Sequence, residues 1–241
     1  MNVIQARKER ERAAREKLIL DHAQRVLLEE GFQNLNLDNL AEAVEYSKGT
    51  LYLHFRTKED IALAVVTRAL KGRADFFERA LEFQGSSRER MRAVGFACCH
   101  FAKVYPDYYN VEMMLKSHSF WEKADEIRQH EYAMQGGRCF RVGHRIVTEG
   151  QQSGDLPKSK MTSEQIAFAI AATAVGSHIM ARNPHATVMA GIDDPLIMLI
   201  KNVDLVLDGL HWKPLSTESD LAAIDRRIKK AIFPDATWFK D

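Results

Sequence analysis

Cysteine is scarce in this sequence: three in 241 residues, at Cys98, Cys99 and Cys139. Two are adjacent and the third has no partner at a framework spacing. A disulfide-stapled scaffold is therefore excluded, and a reducing compartment is expected. Long apolar runs are missing too. Nothing approaches the roughly 20 residues a bilayer span requires, and Met1–Ile4 leads straight into charge without an apolar leader. The expected location is cytoplasmic, with no membrane partner. Nor is there an excess of one charge: 34 Lys and Arg stand against 33 Asp and Glu, for a net charge of +1. Bulk charge thus points to no partner, and any nucleic-acid contact must come from local placement. There is no glycine-rich phosphate loop, no His-Glu-x-x-His and no cysteine pair at metal spacing, so neither cofactor nor metal is expected. Strand-like alternation and internal repeats are also lacking, which leaves an all-α fold.

What is present is helical punctuation on an ordinary globular background, 46% hydrophobic. Residues Arg7 to Lys17 carry six basic and three acidic side chains. That stretch reads either as a solvated helix start or as a basic arm that touches phosphates. From Leu18 the periodicity is clear: Ile19, Ala23, Val26 and Leu27 share one helix face. Gly31 stands where the chain must leave that helix with positive φ. Asn36 is an N-cap for a short helix carrying Leu37, Leu40, Ala41 and Val44, and Ser47 caps the next, expected to run through Phe55. Thr57, with Asp60 three residues on, starts a fourth helix towards Gly72. Two short helices about three residues apart, between two longer ones, have the spacing of a helix-turn-helix over about 36–55. Leu40, Val44, Leu51 and Phe55 can then be buried together, leaving the other side of the second helix free for a groove.

The string Ser47-Lys48-Gly49-Thr50-Leu51-Tyr52-Leu53-His54-Phe55, followed by Lys58-Glu59, closely resembles the recognition helix of the TetR family, which typically shows Ser-x-Gly-Thr-Leu-Tyr-x-His-Phe and then Lys-Glu. Gly31-Phe32 and Leu40-Ala41-Glu42-Ala43 fall where that family has Gly-Phe and Ile-Ala-x-x-Ala. The resemblance covers residues 14–74 and departs at Glu45-Tyr46, where the family usually has Gly-Val. It implies a DNA-binding domain at 14–74 behind a basic arm at 1–13, a larger helical ligand-binding and dimerisation domain at 75–213, and a tail at 214–241. It also implies a repressor that binds a palindromic double-stranded operator as a homodimer and answers to a small, largely apolar effector through a shift of the helix starting at Lys58.

Position suggests the DNA contacts. Ser47, Lys48 and Gly49 sit at a helix N-terminus, whose free N–H groups suit a phosphate. Thr50, Tyr52, Leu53 and His54 are not all needed for the core face and are expected on the groove side. Lys48, Arg56 and Lys58 give a local positive excess, and Asn36, at the start of the first helix, completes the set.

Downstream, helices are expected over Ser87–Tyr105, 107–116, 121–152, Thr162–Arg182 and from Pro195 to about Trp212, with an amphipathic piece through Leu221, Ile224, Ile228 and Ile232. The stretch from Asn183 to Asp194 shows no periodicity. The helix from Pro195 is apolar on two sides, as if packed against its own domain and a second copy. Leu199, Val203 and Leu207, with Ile170, Ala174 and Ser177 on the small-residue helix before it, are the candidate dimer contacts. Residues 76–140 are rich in aromatics and Met. By the resemblance, some line a ligand pocket, with Phe76, Phe101, Tyr105, Tyr109, Met113, Trp121 and Phe140 as candidates. Two rivals stay open: an adaptor whose helix-turn-helix binds protein, and a small all-α enzyme. Cys98-Cys99-His100 favours the enzyme little, because neighbours on a helix point in different directions.

Overall fold

From Val3 to Glu29 the sequence has neither Gly nor Pro and is dominated by strong helix formers. It forms one helix of 27 residues, α1 (Val3–Glu29), in the computed structural model, which describes residues 3–106, 108, 111–112, 115 and 118–239. Only its second half meets a core, through Ile19, Leu20, Ala23 and Leu27. Gly31 ends it at φ 86° and ψ 166°, a region open to glycine alone without strain. The chain divides into two compact units, Met1–Lys71 with Pro106–Gln135 and Gly72–Tyr105 with Gly136–Asp241.

In the first unit a 3₁₀ turn (Phe32–Asn34) leads to α2 (Leu37–Ala43), α3 (Lys48–Tyr52) and the start of α4 (Lys58–Leu81). The caps stand where the sequence places them. Asn36 accepts from the Asp38 and Asn39 N–H groups, and Ser47 accepts from the Thr50 N–H. Thr57 and Asp60 cap each other reciprocally, at 3.0 and 3.1 Å. Helix α3 is shorter than expected and ends at Tyr52. One further turn follows, in which the His54 and Phe55 N–H groups both bond the Leu51 carbonyl. The long helix expected over 121–152 is broken: α6 (His118–Trp121) is separated by four residues from α7 (Glu126–Ser153).

The second unit is built around α5 (Ser87–Val104), which is buried along most of its length. Ser86 and Glu89 form its capping box, and Tyr105 closes it just before Pro106. Helix α10 (Pro195–Gly209) packs against α5 and α8 (Ser163–Ala181), and α11 (Leu221–Ile232) also packs against α5. The stretch expected to be aperiodic contains α9 (Pro184–Met189), started by an Asn183 cap and a proline in the first turn. The tail folds onto its own unit, where Ile224, Ile228, Ile232, Phe233 and Ala236 are buried. Two features organise this core. Arg92 reaches Asp225 with two hydrogen bonds (2.7 and 2.8 Å) and also bonds Asp204, while Arg88 pairs with Asp208 at 2.7 Å and donates to the Trp212 carbonyl at 2.6 Å. At Gly150 a Cβ would lie 2.9 Å from the Trp212 ring, so only glycine lets that indole sit against α7 and donate to Ser87 Oγ at 2.8 Å. Among the described residues there is no strand, and no helix is long and apolar enough to cross a membrane.

Candidate nucleic-acid interface

The interface is built on a turn that the sequence strains. After α2, Val44 turns inward and Glu45 takes φ 57°, the left-handed conformation where the TetR pattern has glycine. The Tyr46 N–H then closes on the Ala41 carbonyl at 2.9 Å. Tyr46 is half-buried, and the turn accommodates its ring without losing the two-helix geometry.

Ser47 caps α3 and shares a 2.8 Å hydroxyl contact with Thr50. Leu51 and Phe55 are fully buried and hold α3 by one side. The other side carries Ser47, Lys48, Gly49, Tyr52 (48% exposed) and Leu53 (81% exposed). A Cβ on Gly49 would meet no protein atom nearer than 3.9 Å, so nothing in the protomer's own packing calls for glycine there. The open surface admits a close backbone from outside. Lys48 reaches Asp38 at 2.6 Å, which ties α3 to α2, and that carboxylate raises the lysine's pKa. Both groups are exposed, so the lysine can exchange this partner for a phosphate.

Two expected contacts stand elsewhere. His54 is turned inward: its side chain is 5% exposed, with Nδ1 3.8 Å from Glu16 Oε2 on α1. The cause is the end of α3 at Tyr52, after which the turn brings residue 54 round to the protein side. Burial lowers the His54 pKa most, Arg12 and Arg15 lower it further, and Glu16 acts the other way. The ring is neutral at pH 7. Lys58 folds back over Phe32, with Nζ 4.6 Å from the ring centre and 3.4 Å from the Phe32 carbonyl.

Arg128, which no sequence signal singles out, supports α3 from behind. Its guanidinium lies 4.8 Å from the Phe55 ring centre and pairs with Glu16 at 2.8 Å and Glu131 at 3.0 Å. Beside it the Asp125 N–H donates to Asp60 Oδ1 at 2.7 Å, and Thr57 Oγ1 donates to the Lys123 carbonyl. No local signal marks these residues, because apart from Glu131 their partners lie more than sixty positions away.

The candidate ligand residues are divided between the two units. In the second unit Phe76 meets Phe101 edge-on at 6.5 Å, and Phe101 meets Tyr105 at 5.2 Å. Trp121 packs in the first unit against Phe120 and Tyr132. Phe140 is on the outside of the second unit, stacked on His144 and facing a shallow apolar depression with Met161 and Phe168. Tyr109 and Met113 lie outside the described residues.

Among the candidate dimer contacts, Ile170, Leu199, Val203 and Leu207 are buried within the protomer itself. Their stripe faces α5 and the neighbouring helix, so within the protomer it is covered by the chain's own side chains. Ala174 and Ser177 are half-buried, with Ser177 Oγ accepting from Asn202 at 2.9 Å. The apolar side chains these helices leave open are Phe168 (68% exposed), Leu205 (70%), Met180 (56%), Val175, Ile179 and Ile197.

As for the chemistry of the rival enzyme reading, burial pushes the Cys98 thiol up to about 12 and Cys99 upward as well. Both stay protonated near neutrality. His100 accepts a hydrogen bond from Trp238 Nε1 at 3.1 Å. Among the described residues no group of His, Cys, Asp and Glu side chains is arranged to hold a metal.

Residues 19–65 match the sequence profile of the bacterial regulatory proteins of the tetR family. The "Fatty acid metabolism regulator protein" of Bacillus subtilis (strain 168) is 24% identical over 143 residues, 57% of this chain and 69% of that protein. Among solved structures, the TetR family transcriptional regulator PfmR of Thermus thermophilus superposes with a TM-score of 0.60 at 21% identity, over 80% of this chain and 98% of the other. The transcriptional regulator FadR of Bacillus subtilis, in complex with stearoyl-CoA, gives a TM-score of 0.61 at 18% identity, over 81% and 99%. At these identities the structural likeness is one of fold.

Proposed function

We propose that this chain, which belongs to the TetR family of bacterial regulatory proteins, is a cytoplasmic, ligand-responsive repressor that binds a palindromic operator as a homodimer. It is a DNA-binding transcription regulator. One observation carries the reading: Leu51 and Phe55 anchor α3 while Tyr52, Leu53 and Gly49 stand open beside a helix N-terminus. Ser47, Lys48 and Gly49 take phosphates, Thr50, Tyr52 and Leu53 take base edges or thymine methyls, and Asn36 flanks them. His54 and Lys58 serve as supports behind this surface. Dimerisation suits residues 75–213, through the open Phe168, Val175, Ile179 and Leu205 and not through the buried stripe of α10.

A largely apolar effector fits the aromatic group around Phe101. A long-chain acyl-CoA is the first compound to test, because a fatty acid metabolism regulator and a stearoyl-CoA complex stand among the similar proteins.

Selection of bound duplexes from a random pool tests the reading. The expected result is a palindromic consensus with half-sites one or more helical turns apart. Tyr52→Ala should keep the melting temperature and weaken operator binding about tenfold or more, from the roughly 1–3 kcal/mol of a base-edge contact. An unsymmetrical consensus would overturn the dimer, and no enrichment would overturn DNA recognition. Saturating stearoyl-CoA is expected to release the operator; equal affinity with and without it removes that effector.

A further inference from the structure

Helix α1 begins at Val3, yet its first buried residue is Ile19. The exposed part is roughly 24 Å of helix that supports no core. Its charges are ordered. Lys8, Arg12 and Arg15 stand at i, i+4 and i+7, and Ile19 follows at i+11 on the same line. The stripe that is core beside the helix-turn-helix is therefore cationic where the helix runs on past it. All three cations are exposed, and none makes a hydrogen bond or ion pair among the described residues. Two acids beside the stripe are already taken, Glu11 by Arg7 at 2.8 Å and Glu16 by Arg128 at 2.8 Å, while Glu9 makes no ion pair among the described residues.

The stripe also lies next to the recognition surface. Arg12 borders the open cleft formed with Tyr52, Leu53 and His54, and Arg15 borders a second one with Tyr46 of the turn. Burial lowers the His54 pKa most, and both arginines add to that lowering. Past Arg12 the line stays open to solvent at Lys8. We propose that Lys8, Arg12 and Arg15 form a phosphate-binding rail that lies on the duplex backbone beside the groove entered by α3, so that each protomer grips DNA outside its half-site. This rests on the DNA-binding reading above and names a contact surface which the helix-turn-helix does not contain. Three cations over roughly 10 Å of axis face a polymer with one charge per about 1.7 Å, and each phosphate neutralised releases counterions.

The test is the salt dependence of operator binding by the full chain, on duplexes with long flanks and on duplexes trimmed to the half-sites. In Lys8→Gln/Arg12→Gln/Arg15→Gln the slope of log Kd against log salt should fall by about 0.9 per lost contact, so by about 5 for a dimer. Each single substitution should remove about a third of that. Trimming the flanks should weaken the wild type at least tenfold and leave the triple variant nearly unchanged. The control Arg7→Gln/Arg10→Gln removes charge from outside the stripe, at residues that border neither cleft, and should keep the wild-type slope. The rail is overturned if the stripe variant keeps both slope and flank dependence. It is also overturned if the control lowers the slope equally, for the effect is then diffuse charge. A wild type that binds no duplex overturns the regulator reading itself, a result distinct from a wild type that binds with a slope the stripe does not affect.

Discussion

In the helix-turn-helix, the capping bonds that set the backbone span two or three residues: Asn36 to Asp38 and Asn39, Ser47 to Thr50, Thr57 to Asp60. The second unit has caps of the same short kind at Ser86 and Asn183, but its core is tied by bonds that span 112 to 138: Arg88 to Trp212, Arg92 to Asp204 and Asp225, Trp238 to His100. The first kind is an instruction carried by a few adjacent residues, and it works wherever that string occurs. The second exists only after the whole unit has closed, and no short string encodes it. This accounts for a family profile that stops at residue 65 while the likeness of fold runs over about four-fifths of the chain. A DNA-reading surface needs fixed caps and turns. A helical body can reach the same packing through many pairs.

The contrast breaks most sharply at Arg92. Its guanidinium is buried and satisfies Asp204 and Asp225 together, so Arg92→Met leaves two carboxylates in the core with no cation that reaches both. Removing one partner of such a group costs about 3–5 kcal/mol. Denaturant titration followed by tryptophan fluorescence should show that loss, since Trp212 and Trp238 are both in this unit. A loss below about 1 kcal/mol would mean that the long-range cluster is no more decisive than a surface pair. The helix-turn-helix offers the opposite trial. Ser47→Ala removes only a cap, for which the expected loss is about 1 kcal/mol.

These same distances explain how much is legible in the sequence. Asn36, Ser47, Thr57 and the positive φ at Gly31 all follow from local rules, as does the burial of Leu51 and Phe55. The inward turn of His54 does not, because it depends on where α3 stops and brings the ring against Glu16, which pairs with Arg128 far along the chain. Arg128 is invisible for the same reason. On α10 the pattern shows two apolar stripes, but it assigns Leu199, Val203 and Leu207 to the partner when they face their own core. Periodicity identifies a buried line; it does not say what buries it. Helix α9 escapes the pattern because a proline-started turn of six residues is too short to show a period.

Glu45 is where a local instruction conflicts with the fold, so it sharpens the comparison at moderate size. Its φ of 57° is strained for a residue with a Cβ, at a position where the TetR pattern carries glycine. Glu45→Gly should raise stability by about 0.5–1 kcal/mol, the relief of strain being partly offset by the added freedom of the unfolded chain. It should also leave operator preference intact. Destabilisation in a thermal melt would show that the turn is set by packing around Tyr46 and not by the dihedral.

The smallest expected effect sets one histidine in each unit against the same variable. Burial is the largest influence on both His54 and His100, and it lowers both pKa values. Around His54 the charged groups are Glu16, Arg12 and Arg15; around His100 they are Asp235 and Arg79. A histidine whose folded pKa is depressed binds its proton more readily in the unfolded chain. Stability is therefore complete above the unfolded value near 6.5 and declines as the pH falls below it. At pH 6 each ring should contribute a loss of less than about 1 kcal/mol. The readout is the change in melting temperature between pH 8 and pH 6, not its absolute value. His54→Gln and His100→Gln should each remove part of that change, and the double variant most of it. If only His100→Gln flattens the profile, the ring behind α3 is reached by water, and the local half of the molecule is looser than its short hydrogen bonds suggest. If only His54→Gln does so, Asp235 holds His100 charged against its burial, and the long-range half has absorbed a proton without loss.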